Sequence, residues 1–156
     1  MPIDVLRFTI EALVSSDLVA VAQCIAIDAD AFPYASAQFG QRTGAAVIEA
    51  ARALGERRVI GFVASRPRAS DLHIEGIAVS RDLRRRGIGR ALLRAAAASA
   101  RAADMNTLSL HVSVENASAI ALYEREGLIL RRRLRGFYRT GQLGEIDAYE
   151  MVLHLG

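Results

Sequence analysis

Residues 74–93 read IEGIAVSRDLRRRGIGRALL and join three kinds of sequence in one stretch. The apolar run Ile77–Val79 is typical of the end of a β-strand, and the Ala/Leu/Arg pattern after Gly89 is typical of an amphipathic helix. Between them lies a turn rich in arginine and glycine. Glycines allow backbone N–H groups to converge on one point, and a helix start adds unpaired N–H groups and the positive end of its dipole. The stretch therefore predicts a site for a phosphate or pyrophosphate.

The spacing of the glycines limits which phosphate ligand this turn can bind. The dinucleotide fingerprint needs three glycines as G-x-G-x-x-G, and the P-loop needs a lysine directly after its second glycine. This chain has two glycines in the pattern Arg84-x-x-Gly87-x-Gly89, and an arginine follows them. A glycine-containing turn that binds no ligand is the alternative that this pattern leaves open. The residues expected to bind the phosphate are Arg84, Arg85, Arg86, Gly87, Ile88, Gly89 and Arg90.

The length and composition indicate one globular domain. A chain of 156 residues can bury a substantial core, so we expect a single domain over residues 1–156. No apolar run approaches the roughly 20 residues of a membrane span, and the N-terminal residues lack the pattern of a secretion signal. We therefore expect no membrane partner. The single cysteine, Cys24, allows no internal disulfide and fits the reducing cytoplasm.

All 20 basic residues are arginines, and the formal net charge is +3. The absence of lysine excludes Schiff-base chemistry. The positive charge suits a polyanionic ligand, and it would also suit nucleic acid. Because the arginines lack a helix-turn-helix context, the sequence argues against a nucleic-acid partner. The three histidines and one cysteine show no ligand spacing, so we expect no metal.

Hydrophobic patterning and turn residues predict one alternating α/β unit without repeats or linkers. The predicted helices are 18–30, 36–44, 87–103 and 116–126, the last one ended by Gly127. The predicted strands are 6–13, 47–53, 58–65, 72–79, 107–112, 128–138 and 146–155, with a loop over 67–71.

Residues 110–128 read LHVSVENASAIALYEREGL and supply a second informative stretch. A strand is followed by Asn116, by a helix that carries Ala-Leu-Tyr at 121–123, and by Gly127. Together with the arginine-glycine turn upstream, this spacing resembles the cofactor site of the GNAT acetyltransferase family. The resemblance covers most of the chain. It implies a GNAT-like α/β domain whose mixed, mostly antiparallel central sheet has about six to seven strands flanked by about four helices.

The same resemblance implies acetyl-CoA as co-substrate. In addition to the turn, the cofactor-binding residues that it implies are Ile77, Ala78, Val79, Asn116, Ser118 and Tyr123. Asn116 could also serve only as a helix N-cap, and Tyr123 could be an ordinary core tyrosine. We expect the backbone N–H groups at a splayed end of strand 77–79 to bind both the pantetheine amides and the reaction's oxyanion.

Two further segments resemble the branch of the family that acetylates protein N-termini, including the bacterial ribosomal-protein N-alpha-acetyltransferases. They are Ala31-Phe32-Pro33 and Gly136-Phe137-Tyr138. The chain departs from that branch where a Trp-Ser pair usually follows Phe-Pro. It also carries His111 where the bacterial enzymes carry Glu, whereas a eukaryotic N-terminal acetyltransferase branch carries His there. The resemblance implies a protein N-terminus, for example of a ribosomal protein, as the acceptor.

The chemistry of acetyl transfer explains which residue types are needed. The attacking amine must be neutral, and an α-amino group with a pKa of about 7.7–8.0 needs only a weak base, such as a histidine. The candidate bases are His111, Glu75 and His73, acting directly or through a water. Each of them could instead be structural. Tyr123 matches the position of the acid that protonates the CoA thiolate.

Aromatic residues near the two resembling segments are candidates for the slot that binds the acceptor amine. We expect Phe32, Tyr34 and Tyr138 to line this slot. The arginine run 131–135 is either a solvated strand edge or a docking surface for an acidic peptide or ribosomal RNA. A small-molecule amine or amino-acid acetyltransferase is one alternative function, and a non-catalytic acyl-CoA-binding or ribosome-associated module is another. The chain is expected to be a monomer or homodimer.

Overall fold

The computed structural model of the chain describes residues 7–14, 16–31, 47–140 and 144–156. Within these residues, seven strands form one sheet with the order β1-β2-β3-β4-β5-β7-β6. All neighbouring strands are antiparallel except β4 and β5, which are parallel. The strands are β1 (Phe8–Ala12), β2 (Val47–Ala53), β3 (Val59–Arg68), β4 (Asp71–Val79), β5 (Thr107–Ser113), β6 (Ile129–Thr140) and β7 (Gly144–His154). The mixed, mostly antiparallel sheet that the sequence predicts is confirmed.

Three α-helices occur within the described residues: α1 (Leu18–Ala31), α2 (Ile88–Ala102) and α3 (Ala117–Arg125). The carboxylate of Asp17 caps α1 by accepting a hydrogen bond from the Ala20 N–H at 3.1 Å. A short 3-10 turn, Arg81–Leu83, leads from β4 toward α2. The helix predicted over 36–44 lies outside the described residues. None of the described helices has the length and apolarity needed to cross a bilayer.

The apolar core lies in two layers, one on each face of the sheet. Successive side chains of β2 point to opposite faces of the sheet, so Ala51 packs with α2 and α3 in one layer while Ala50 packs with α1 in the other. Gly61 on β3 permits the close approach of α2, since a Cβ at this position would lie only 3.1 Å from Leu92 Cδ1. Among the described helices, α1 alone packs in the second layer, through Ala20, Cys24 and Ile27.

The parallel strands β4 and β5 separate halfway along their length. Their pairing covers only Asp71–Ile74 against Thr107–Leu110, although β4 continues to Val79 and β5 to Ser113. At the same point, β3 residues Ala64 and Ser65 pair with Gly76 and Ile74, which leaves Glu75 as the extra residue of a β-bulge. The sheet therefore opens between β4 and β5 directly beyond Ile74, as expected for the splayed strand end.

The loop predicted over 67–71 is wrong. Arg68 is the last residue of β3 and Asp71 is the first of β4, and Pro67 pairs with Leu72. The connection is a tight turn at Ala69 and Ser70, in which Ala69 adopts a φ of 53°. The strand predicted over 58–65 continues to Arg68, and the remaining predicted elements agree with the structure to within about two residues, apart from those that lie outside the described ranges.

Candidate active site

The basic turn, residues Arg84–Gly89, has the backbone conformation of an anion cradle. Arg85 has a φ of 63° and Gly87 a φ of 83°, and Gly87 precedes the first residue of α2. The first turn of α2 has no acidic residue and no side-chain cap. Its leading N–H groups therefore have no side-chain acceptor from the cap position, and the positive end of the helix dipole faces the turn. This geometry suits a phosphate.

The arginines of this region fall into two groups. Arg84 forms an ion pair with Asp30 at 3.5 Å and donates to the Val79 carbonyl at 3.2 Å, and Arg90 forms an ion pair with Glu126 at 2.8 Å. Among the described residues, Arg85 and Arg86 have no carboxylate partner. These two guanidinium groups are thus the ones most available to an anionic ligand at the turn.

The backbone of β4 points hydrogen-bond donors into the space between β4 and β5. The Ser80 N–H donates to the Ile60 carbonyl at 2.8 Å, on the β3 side. Since N–H directions alternate along a strand, the Ala78 N–H also faces β3, while those of Ile77 and Val79 face away from it. They therefore point to the side where β5 has separated from the sheet. This is the arrangement expected for binding amides and an oxyanion.

The start of α3 borders the same opening. Asn116 caps the helix, because its side-chain oxygen accepts from the Ala119 N–H at 3.2 Å and from the Ser118 hydroxyl at 3.3 Å. The prediction that Asn116 is a helix N-cap is confirmed. Because only the side-chain oxygen takes part in the cap, the amide NH₂ of Asn116 can still contact a ligand. Tyr123, further along α3, is buried in the core layer of α2. Burial, with a smaller effect of Tyr138, raises the pKa of the Tyr123 phenol, so this group holds its proton.

His73 and His111 lie side by side on the sheet face opposite α2. Their ring centroids are 4.7 Å apart. Burial, followed by the charges of Arg68 and His111, lowers the pKa of His73 to about 4, against the opposing effect of Asp71 and Glu75. His73 is therefore neutral near pH 7. Its Nδ1 atom lies 2.8 Å from the Ser109 hydroxyl oxygen.

His111 is more exposed than His73 and has charged neighbours on β6 and β7. Its Nε2 lies 4.0 Å from Oε1 of Glu150, and its ring packs against Phe137 with the centroids 4.7 Å apart. Burial lowers the pKa of the His111 imidazole. Glu150 opposes this shift, while nearby arginines, including Arg131 and Arg132, add to it. His111 is thus a neutral imidazole near pH 7 that can accept a proton.

Glu150 is a functional candidate that the sequence analysis missed. It is nearly buried, and both Arg131 and Arg132 donate to it, Arg131 at 2.5 Å. Burial raises the pKa of this carboxyl, but the two guanidinium groups outweigh burial and leave its pKa below the ordinary value. Two sequence features could have identified Glu150: it is a glutamate at an inward position of an apolar strand, and the preceding strand carries an arginine run.

The other predicted residues lie as follows. Glu75, at the bulge of β4, accepts from Arg66 Nε at 2.7 Å. Tyr138 lies on β6 and contacts Phe137, with ring centroids 4.9 Å apart. Phe32 and Tyr34 lie outside the described residues. The arginine run lies on the edge strand β6, where Arg131 and Arg132 bind Glu150 and Arg133 binds Asp147. No cluster of metal-ligating side chains occurs in the described part of the chain.

The chain matches a protein family model, and it is similar to relatives and solved structures whose names state an activity. A family model described as the acetyltransferase (GNAT) family matches residues 17–128, more than half of the chain. The ribosomal protein bS18-alanine N-acetyltransferase of Salmonella typhimurium is 34% identical over 145 residues, which are 93% of this chain and 96% of that protein. The crystal structure of the ribosomal-protein-S18-alanine N-acetyltransferase from Escherichia coli matches with a TM-score of 0.82 at 29% identity, covering 96% of this chain and 95% of that chain.

A plant structure is similar as well. Arabidopsis thaliana NAA60 in complex with a bisubstrate analogue matches with a TM-score of 0.81 at 25% identity, covering 95% of this chain and 98% of that chain.

Proposed function

The chain belongs to the acetyltransferase (GNAT) family, and we propose that it transfers the acetyl group of acetyl-CoA to the α-amino group of a protein N-terminus. Membership confirms the resemblance carried by the basic turn and by the start of α3, and it makes the chain an acetyl-CoA-dependent N-acetyltransferase. We further propose that residues 1–156 form one acetyltransferase domain, since β1 and β7 belong to the same sheet as the strands within the matched residues.

For the donor, we assign the binding groups from their place in the fold. The basic turn would hold the pyrophosphate through the N–H groups at the start of α2, with Arg85 and Arg86 supplying charge. The N–H groups of Ile77 and Val79 would bind the pantetheine and the oxyanion. Asn116 would contribute its amide NH₂. The thioester of the bound donor supplies the electrophilic carbonyl.

For the proton transfers, we assign His111 as the base and Tyr123 as the acid. His111 is neutral near pH 7, because burial lowers its pKa, and it lies on β5 directly after the last pair of the β4–β5 ladder. It takes the proton that the amine loses, and the Tyr123 phenol gives a proton to the leaving thiolate. Glu75 and His73 remain the alternative bases, and a water could connect either of them to the amine.

The assignment of an α-amine as the acceptor rests on one observation, which is that His111, the proposed base, is weak. A buried, neutral imidazole suits an amine with a pKa of about 7.7–8.0 far better than a lysine amine with a pKa of about 10.4. Relatives at 32–34% identity are named ribosomal protein bS18-alanine N-acetyltransferases, so a peptide that begins with alanine is the first acceptor to test. A ribosomal acceptor would place the reaction in the cytoplasm, where the free thiol of Cys24 also fits.

A peptide assay tests this proposal. The protein is incubated with acetyl-CoA and with peptides that begin with alanine, and intact mass is read out. We expect a single acetyl group on the free N-terminus. A matched peptide with a blocked N-terminus and an internal lysine should remain unmodified, because a lysine amine with a pKa of about 10.4 has a far smaller neutral fraction near pH 7 than an α-amine with a pKa of about 7.7–8.0. Efficient acetylation of the blocked peptide would contradict the α-amine assignment.

A further inference from the structure

A chain of hydrogen bonds connects His73 to a carboxylate on its own strand. The Nδ1 atom of His73 lies 2.8 Å from Ser109 Oγ, and Ser109 Oγ lies 2.5 Å from Asp71 Oδ2. The other oxygen of Asp71 accepts from the Thr107 hydroxyl at 2.7 Å. His73 and Ser109 are both almost fully buried. These hydrogen bonds thus connect β4 to β5 in the part of the sheet where the two strands are still paired.

Counting hydrogen atoms fixes the direction of each bond. An ionised carboxylate can only accept, so the single hydroxyl hydrogen of Ser109 points to Asp71. Ser109 Oγ then has only lone pairs left for His73, and Nδ1 must be the donor. A neutral imidazole carries one N–H, and so Nε2 carries the lone pair. The structure therefore assigns the Nδ1–H tautomer to His73.

We propose that Ser109 and Asp71 are positioning residues that hold His73 in the Nδ1–H tautomer, so that its Nε2 lone pair accepts a hydrogen bond from the acceptor amine, or from a water beside it, next to His111. The inference rests on the proposed function, because it concerns the acceptor side of the same site. His73 orients the amine without taking its proton, and the proton goes to His111.

The charges around His73 support this division of roles. Arg68 from β3 and His111 from β5 disfavour its protonation, Asp71 and Glu75 on its own strand favour it, and burial exceeds them all. Arg66 pairs with His73 across β3 and β4, and its guanidinium is bound to Glu75. His73 therefore stays neutral near pH 7. A neutral ring with a fixed tautomer is a constant hydrogen-bond acceptor.

The tautomer is measured directly by nitrogen-15 NMR of the histidine side chains at pH 7. Long-range couplings distinguish a protonated ring nitrogen from an unprotonated one, and a His73→Gln sample assigns the signals. We expect Nδ1 of His73 to be protonated in the wild type. Ser109→Ala removes the acceptor of this N–H and should shift the population toward Nε2–H. Thr107→Val, the matched control, cuts the other bond to Asp71 and should leave the tautomer unchanged.

The kinetic readout uses the same variants with a free N-terminal peptide. Ser109→Ala should lower kcat/KM for the peptide about tenfold to a hundredfold, the loss that removal of an outer hydrogen-bond partner of a histidine typically causes at metal sites. Acetyl-CoA affinity, measured by calorimetry, should not change. Ser109→Thr keeps the hydroxyl and should restore both the tautomer and the rate. If Ser109→Ala does not fold, Asp71→Asn replaces it, because an amide NH₂ facing Ser109 would reverse the hydrogen-bond chain.

Two results would overturn the inference while leaving the proposed function intact. One is a wild-type His73 protonated on Nε2. The other is a Ser109→Ala protein that changes tautomer but acetylates the peptide at the wild-type rate. If the wild type acetylates no α-amine, the proposed function fails, and the role of His73 toward the amine fails with it. Loss of the Nδ1–H tautomer together with loss of kcat/KM supports the inference.

Discussion

The Nε2 atom of His111 lies 4.0 Å from Oε1 of Glu150, a carboxylate that also binds Arg131 and Arg132. The contact crosses the antiparallel pair β5–β7, in which His111 and Glu150 are register partners. Because Arg131 is the extra residue of a bulge in β6, two consecutive arginines reach the same carboxylate. The proposed base therefore lies beside an anion that favours its protonation, against the larger effect of burial and the added effect of the arginines.

Replacing Glu150 by Gln should move the acid limb of the pH profile. Glu150 raises the pKa of His111, so its loss leaves burial and the arginines to lower that pKa further. The acid limb of kcat/KM should therefore move to lower pH. The matched control is Asp147→Asn, which removes a carboxylate of the same strand that binds Arg133 instead. An acid limb that moves equally in both variants would mean a general charge effect.

Replacing Gly89 by Glu should abolish acetyl-CoA binding without unfolding the protein. A negative side chain in the first turn of α2 favours the helix but repels a phosphate at the basic turn. Calorimetric titration with acetyl-CoA measures the loss. Gly89→Ala is the control, because a Cβ there would lie 3.6 Å from Leu122 and 3.8 Å from Val79, at ordinary contact distance. Unchanged affinity in a folded Gly89→Glu protein would remove the basic turn from the donor site.

The two site segments could be predicted from the sequence because each is local. The turn at 84–89 and the stretch from Asn116 to Gly127 carry their chemistry in contiguous residues, whose spacing determines the backbone. Pro67 was misleading, because proline usually ends a strand. Here β3 continues through it to a tight turn in which Ala69, rather than a glycine, adopts a positive φ.

The rest of the site depends on strand order and could not be predicted. Glu150 approaches His111 only because β7 lies between β5 and β6. The bulge that directs both Arg131 and Arg132 to one carboxylate breaks the alternation on which the analysis of a strand relies. Ser109 and Asp71 are far apart in sequence, and the parallel pairing of β4 with β5 brings them together.

Replacing Tyr123 by Phe should lower kcat by about 10²–10⁴-fold, the range for a positioned acid. The ring remains, so packing and acetyl-CoA affinity should barely change. Burial raises the pKa of this phenol, which keeps it protonated at every working pH. Rapid-quench kinetics must first show that chemistry limits turnover. Turnover close to wild type under that condition would exclude Tyr123 as the acid.

The folded protein should lose stability between pH 7 and pH 5 because of His73. Its pKa falls from an ordinary value near 6.5 to about 4, so within this window the unfolded chain binds the proton more readily. The contribution of His73 to the free energy of unfolding is retained above this window. It decreases as the pH falls, by about 2 kcal/mol at pH 5. Urea unfolding at both pH values should show a smaller loss in His73→Gln. His154→Gln, at an exposed histidine, should behave as the wild type.

Replacing His111 by Ala should flatten the acid limb of kcat/KM and lower the rate at pH 7. The limb of the wild type should lie below pH 6.5, because burial lowers the pKa of His111 and the neutral ring is the reactive form. Below pH 7 an N-terminal peptide is almost wholly an ammonium ion, so the limb reports the enzyme rather than the substrate.

The comparison variant for His111→Ala is Glu75→Gln, which removes the carboxylate bound to Arg66 but keeps the imidazole. It should retain the acid limb and lose less rate, since Glu75 is not the proposed proton acceptor. Profiles from pH 5 to 8 with one peptide, at saturating acetyl-CoA, decide between the two residues. If His111→Ala keeps the wild-type limb while Glu75→Gln loses it, Glu75 takes the proton. If both variants keep the limb, neither residue sets it, and the assignment of His111 as the base is wrong.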